Sequence, residues 1–172
     1  FNVGRETTVK FDQSAGGSNA ASWIAFNRIT DPSGNPSQIL GRIEAQGQVY
    51  VINQNGIIFG GASEVNTGSL TASALPINQT LVTNGLLNNP SAEFLFSSPD
   101  VPVTATAYGK VGNVTVQAGA KITAPTSSAN VGGRVALIGP NVTNNGTIST
   151  PDGQTILAAG MEVGYDAHSS DD

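Results

Sequence analysis

Apolar residues recur along the chain in short alternating runs, a pattern that predicts β-strands. The clearest pair of runs, residues 49–52 and 57–59, lies on either side of the polar sequence Asn-Gln-Asn-Gly at 53–56. Both runs are rich in β-branched or aromatic residues, which favour strands over helices. Asn and Gly suit tight turns. Asn-Gly between two strands is typical of a β-hairpin, but the wider pattern favours a corner between two faces.

A spacing of 21 residues recurs along the chain, and each unit reads as a short strand, a Gly or Asn corner, and another short strand. A period near 20 predicts an all-β solenoid, most simply a right-handed parallel β-helix of about seven turns. The residues that share this spacing are Val49 and Leu70; Val51 and Ala72; Val114, Val135 and Ile156; Val116, Leu137 and Ala158; Ala118, Gly139 and Gly160; and Val142 and Val163.

An antiparallel sandwich is the alternative architecture, because it also consists of short strands with frequent turn signals. A sandwich does not require a fixed spacing, so the 21-residue recurrence favours the β-helix. Alternation within the predicted strands places Val114 and Val116 on the inside and Thr115 on the outside. We therefore predict a single β-helix domain over residues 1–163.

Two segments interrupt the repeat. Residues 1–46 carry large apolar side chains that suit an N-terminal cap and the first turns, since an open solenoid end would be an exposed sheet edge. Residues 75–110 are rich in Leu, Phe and Pro and predict an extra-helical β excursion on the side of the rod. Regular turns are expected over 111–163, and the polar residues 164–172 are predicted to form a tail.

Composition removes several classes of function. Seven basic and 12 acidic residues give a net charge of −5, which is unfavourable for binding nucleic acid. There is no cysteine, so disulfides and thiolate metal sites are excluded. No apolar run is long enough for a membrane-spanning helix. Phe1 follows neither a basic start nor an apolar signal region, which indicates a mature fragment.

Catalytic signals are nearly absent. His168 is the only histidine and lies in the acidic tail. Some parallel β-helices cleave polysaccharides with paired carboxylates, but residues 111–160 contain only Lys121, Arg134 and Asp152 as charged groups. We therefore predict no catalytic residue, no cofactor, no metal site and no enzymatic activity.

Several motifs occur together in a fixed order along the chain. They are Trp23, Asn27-Arg28-Ile29-Thr30, residues 34–41, Ile43, Gly47, residues 49–60, residues 133–138, residues 141–146 and residues 153–160. This series resembles the secretion domain of filamentous-haemagglutinin-like exoproteins, the large secreted members of two-partner secretion systems in Gram-negative bacteria. The resemblance covers most of residues 1–163 and is weakest over 75–110.

The resemblance implies two candidate motifs. The family typically has Asn-Pro-Asn-Gly-Ile at the corner, and this chain has Asn53, Gln54, Asn55, Gly56 and Ile57, with Gln where Pro is usual. A second family motif, Asn-Pro-Asn-Leu, matches only at Asn-Pro, either in Asn35, Pro36, Ser37 and Gln38 or in residues 89–92. Turn chemistry alone also accounts for both of these stretches.

The resemblance also implies a mechanism, a location and a partner. Such a domain passes through the periplasm, is bound by the periplasmic domains of a cognate outer-membrane β-barrel transporter, and folds as a monomer on the extracellular side. It is then secreted or held at the cell surface, where the full-length protein contacts host cells or glycans. A glycan- or host-surface-binding adhesin module is the alternative function, and a carbohydrate-active β-helix enzyme is a third that lacks a carboxylate cluster.

Overall fold

The computed structural model describes residues 1–84, 95–98, 111–127 and 130–164, which form an all-β protein with parallel sheets. In chain order the elements are β1 (Thr8–Phe11), a 3₁₀ segment (Ser14–Ser22), β2 (Ile24–Ile29), β3 (Ser37–Ile39), β4 (Arg42–Asn53), β5 (Ile57–Phe59), β6 (Glu64–Ser73), α1 (Gln79–Asn84), β7 (Phe96–Ser97), β8 (Val114–Val116), β9 (Lys121–Thr123), β10 (Arg134–Gly139), β11 (Val142–Asn144), β12 (Thr147–Ser149), β13 (Gln154–Ala159) and β14 (Glu162–Val163).

Parallel pairing arranges most of the strands in three rows. The first row is β3–β5–β8–β11, a four-stranded sheet. The second row runs β1, β4, β6, β9, β12, and the third runs β2, β4, β6, β10, β13. Strands β4 and β6 belong to both, and the pairing between them shifts register between Ala45 and Gln48. Successive strands therefore pass through the rows in turn, and we call each such passage a layer.

The predicted spacing is confirmed in one place and wrong in others. Val49 pairs with Leu70, and Val51 pairs with Ala72, at the expected step of 21 residues. Leu70 next pairs with Val135, which in turn pairs with Thr155 rather than Ile156. Because a shift of one residue reverses the face of a strand, Val135 lies in the inner core and Ile156 packs on the outside.

The spacing also predicts the wrong positions for two further residues of the series. Val114 lies in the first row, where it pairs with Ile57 and Val142, so it does not stack on Val135 in the third row. Val163 pairs antiparallel with Phe96 rather than following Val142. The count of about seven turns is too high for the described residues, because the 3₁₀ segment, α1 and β7 lie outside the rows.

The inner core lies between the three rows. Val114 and Val116 are fully buried and Thr115 is half-exposed, as alternation predicted. Phe1 and Phe11 pack against this core, whereas Trp23 and Phe26 are 46% and 39% exposed. The assignment of residues 1–46 to a cap with the first turns stays a prediction.

A second apolar cluster covers the outside of the third row. Residues 75–84 and 95–98, which we call the outer cover, carry several side chains of this cluster and pack on β4 and β10. The rest of the predicted excursion, residues 85–94 and 99–110, lies outside the described residues, as do residues 165–172 of the predicted tail. The buried side chains of the cluster are Tyr50, Ile52, Leu75, Ile77, Leu81, Leu95, Phe96, Ala136 and Ile138.

Candidate functional site

The polar corner 53–57 carries the chain from the third row to the first. Strand β4 ends at Asn53 and β5 begins at Ile57, in a different sheet, so the corner is not a hairpin. The Gly56 amide donates a hydrogen bond to the Asn53 carbonyl at 2.9 Å and closes a four-residue turn. Gly56 has φ of +103°, a conformation that glycine adopts without the steric cost of a Cβ.

Asn53 connects the corner to the preceding layer. Asn53 is 1% exposed, and its Nδ2 donates to the Ser37 Oγ at 3.0 Å. Its Oδ1 accepts a hydrogen bond from the Asn55 amide at 3.0 Å. The Ser37 amide in turn donates to the Gly56 carbonyl at 2.9 Å. The two candidate motifs, 35–38 and 53–57, are thus in direct contact, whereas residues 89–92 lie outside the described residues.

Asn55 holds the loop that precedes β3. Its Nδ2 donates to the Asp31 carbonyl at 2.8 Å. The Asp31 carboxylate accepts hydrogen bonds from the Ser33 hydroxyl at 2.7 Å and the Ser33 amide at 2.9 Å. These two bonds hold the pKa of the Asp31 carboxyl below its ordinary value of 3.8, because they stabilise the charged form. The loop is therefore stabilised by its own hydrogen bonds and fixed to the corner by Asn55.

The corner also contacts the layer that follows it. The Gly112 amide donates to the Gln54 carbonyl at 2.7 Å, and the Ile57 amide donates to the Asn113 carbonyl at 3.0 Å. A Cβ on Gly112 would lie 2.2 Å from the backbone carbonyl atoms of Asn55, which leaves no space for a side chain. Three consecutive layers therefore meet at residues 53–57.

One side of the corner is accessible to solvent. A cleft of about 340 Å³ opens beside it, between the ends of β2 and β4. The Arg28 guanidinium lines this cleft and donates to the Gln79 Oε1 at 2.8 Å, which links β2 to α1. The cleft is thus lined by amide and carbonyl groups of the corner together with the Arg28 guanidinium.

The chemistry of the corner is that of hydrogen-bonding amides and hydroxyls. Across residues 1–84, 95–98, 111–127 and 130–164, no three His, Asp or Glu side chains are grouped so as to hold a metal ion. Within the same part of the chain, none of the helices is long and apolar enough to cross a bilayer.

Sequence reasoning missed two partners of the corner. Asp31 begins an Asp-Pro-Ser-Gly stretch that signals a turn, but nothing in the sequence indicates that Asn55 binds its carbonyl. Gly112 follows the long excursion, and no local pattern brings it to the corner. Its signal is indirect, since a glycine in strand-rich sequence often marks close approach of another backbone.

Comparison with known proteins identifies the class of this chain. The family model of the TPS secretion domain, the domain of two-partner secretion, matches residues 1–171. The chain therefore belongs to the TPS secretion domain family, and it is a secretion domain of a two-partner-secretion exoprotein, a protein secreted across the outer membrane. The resemblance inferred from the motifs is confirmed.

Two curated relatives agree with this assignment. A heme/hemopexin-binding protein of Haemophilus influenzae strain Rd is 39% identical over 72 residues, which are 42% of this chain. A second heme/hemopexin-binding protein of Haemophilus influenzae is 38% identical over 72 residues, again 42% of this chain. The matched segment spans only 7% of the length of either relative.

Proposed function

We propose that this domain directs its exoprotein to a cognate outer-membrane β-barrel transporter by binding the transporter's periplasmic domains. Membership of the TPS secretion domain family supports a cognate transporter as the partner. Binding takes place in the unfolded or partly folded state, and the domain folds as a monomer after it has crossed the membrane. Contacts with host cells or glycans belong to the full-length exoprotein. The domain itself has no enzymatic role and no nucleic-acid partner.

The fold that we propose is a right-handed parallel β-helix over residues 1–163, with an N-terminal cap and first turns in 1–46 and an extra-helical excursion in 75–110. The three rows of parallel strands support it, because successive strands enter the rows in turn. Each finished layer of such a solenoid offers a strand edge to the next layer. A domain that folds first therefore provides a template for the chain that follows.

The corner 53–57 is the part of the domain that we assign to fold nucleation and to the secretion motif. The observation that carries this assignment is the buried Asn53, which bonds both Ser37 of the preceding layer and the Asn55 amide. A buried polar group that loses its partner costs about 1–3 kcal/mol, so the corner specifies one arrangement of the first layers. The contact between motifs 35–38 and 53–57 supports a shared role for both.

Export of an Asn55→Ala variant tests the role of the corner. Loss of the bond to the Asp31 carbonyl should reduce the amount of folded, protease-resistant chain outside cells that express the cognate transporter. The matched control is Asn141→Ala, which alters an exposed asparagine at a later corner. Normal export together with unchanged melting of Asn55→Ala would contradict the assignment.

Binding to the transporter is tested separately. The immobilised periplasmic domains should capture the unfolded wild-type chain, and they should capture a scrambled chain of the same composition much less well. Equal capture of the two chains would exclude sequence-specific targeting, even if the corner does nucleate the fold.

A further inference from the structure

The outer cover joins layers that are far apart in the sequence. Its buried side chains pack against Tyr50 of β4 and Ile138 of β10. Ile156 and Ala158 of β13 and Val163 of β14 pack against the same cluster. One apolar cluster therefore contacts an early layer, a late layer and the strand that follows the last layer.

An antiparallel pairing closes this cluster, whereas the three rows are parallel throughout. Phe96 of β7 pairs with Val163 of β14, and Ser97 pairs with Glu162. The Ser98 amide donates to the Met161 carbonyl at 3.2 Å. The outer cover is itself connected, since the Ser97 amide donates to the Pro76 carbonyl at 3.1 Å. Strand β14 thus adds to the edge that β7 provides on the outside of the third row.

The burial of residues in β13 shows how much the last layer depends on its contact with the outer cover. Leu157 points to the inner side and is 49% exposed, whereas its paired residue Leu137 in β10 is fully buried. Ile156 and Ala158, on the outer side, are half-buried against the cluster. Within the described residues, β13 therefore receives its apolar contacts mainly from the outer side.

We infer that the outer cover and β14 form a clasp that closes after the last layer is in place and slows unfolding of the whole stack. Strand β14 directly follows β13, so the pairing of β13 with β10 brings β14 next to β7. The pairing joins residues that are widely separated in sequence, which delays it relative to local contacts. Contacts that form after the rate-limiting step of folding act on the unfolding rate and leave the folding rate unchanged.

A reversible covalent lock tests the clasp in the full chain. The protein has no cysteine, so Ser97→Cys with Glu162→Cys introduces the only two thiols. The flanking bond from Ser98 to Met161 makes 97 and 162 a pair without mutual hydrogen bonds, in which the side chains lie close together. A crosslink removes entropy from every state in which its ends are still apart.

The proposal predicts a kinetic signature for this lock. Oxidation should slow unfolding about tenfold or more relative to the reduced form of the same protein, with an unchanged folding rate. If oxidation instead accelerates folding and leaves unfolding unchanged, the contact forms early and the proposal is wrong. The proposal is also wrong if the oxidised and reduced forms fold at the same rate and unfold at the same rate.

A pair of valine variants provides a second test without a crosslink. Val163→Ala should speed unfolding about fivefold with no change in folding rate, because it removes contact from a late-forming cluster. Val142→Ala in β11 is the matched control, since it shortens a half-buried valine of the last layer outside the clasp. Slower folding of Val163→Ala, or an unfolding rate equal to that of the wild type, would contradict the clasp.

Discussion

Two corners perform the same task in different ways. Residues 53–57 and residues 139–142 both take the chain from the third row to the first. The first corner contains the buried Asn53, which bonds Ser37 of the preceding layer. The second contains the exposed Asn141, whose Nδ2 donates to the Asn113 Oδ1 at 3.1 Å.

The difference shows what the first corner adds to a change of direction. Gly139, Pro140 and Asn141 turn the chain with an exposed side-chain hydrogen bond, so a row change does not require a buried polar network. The buried bonds of Asn53 and the bond from Asn55 to the Asp31 loop therefore serve to order the layers around the corner. The proposed templating role needs such order at the first layers.

The largest effect is expected where the corner meets the next layer. Gly112→Ala would place a Cβ 2.2 Å from the Asn55 carbonyl atoms, so one of the two backbones must move. We expect a loss of about 3 kcal/mol in the free energy of unfolding, measured by urea denaturation. Gly160→Ala is the control, because its Cβ would have its nearest contact at 3.6 Å. Equal losses for the two variants would show that the approach of Gly112 to Asn55 does not limit the side chain at this position.

The second effect compares the two asparagines directly. Asn53→Ala leaves the buried Ser37 hydroxyl and the Asn55 amide without their partner, which costs about 2 kcal/mol. Asn141→Ala removes an exposed bond, and we expect a loss of less than about 0.5 kcal/mol. Thermal unfolding of the two variants gives the comparison, and a larger loss for Asn141→Ala would reverse it.

A smaller effect, here a gain in the free energy of unfolding, is expected from Gln54→Pro. Gln54 is exposed and occupies the second position of the turn that Asn53 and Gly56 close, where the fixed φ of proline fits. Because proline restricts the unfolded chain, we expect a stabilisation of about 0.4–1 kcal/mol, measured by denaturant titration. A destabilised variant would show that the local backbone at Gln54 does not accept a proline.

The smallest effect is a pH dependence at the Asp31 loop. The lowered pKa of the Asp31 carboxyl means that the hydrogen bonds from Ser33 contribute stability above pH 3.8. This contribution is lost as the pH falls through the lowered pKa. An NMR titration should show the Asn55 side-chain amide shifting with a midpoint below 3.8. Asp12, whose pKa is also lowered by Ser14, should titrate without affecting Asn55. A midpoint at or above 3.8 for Asp31 would contradict the loop geometry.

Much of this architecture can be predicted from the sequence, because strand alternation and corner residues are local signals. The corner at 53–57 and the inward Val114 and Val116 follow from pattern alone. The stacking of the layers does not follow from the sequence pattern, because insertions change the number of residues per layer. Val114 and Val135 keep a spacing of 21 and yet lie in different rows. Alternating apolar residues look alike in each row, so periodicity cannot assign them.

The candidate site was only partly predictable for a related reason. Motif resemblance selected residues 35–38 and 53–57, and the structure brings them into contact through Ser37. The contributions of Asp31 and Gly112 depend on long-range packing, which no sequence window contains.

Pulsed hydrogen exchange during refolding tests the central claim most directly. The bonded amides of Ser37, Asn55 and Gly56 report on the first corner, and those of Asn145 and Gly160 report on the last layer. If the first corner nucleates the fold, its three amides gain protection before the two late ones. Protection of Asn145 and Gly160 first, or of all five amides together, would contradict nucleation at the corner.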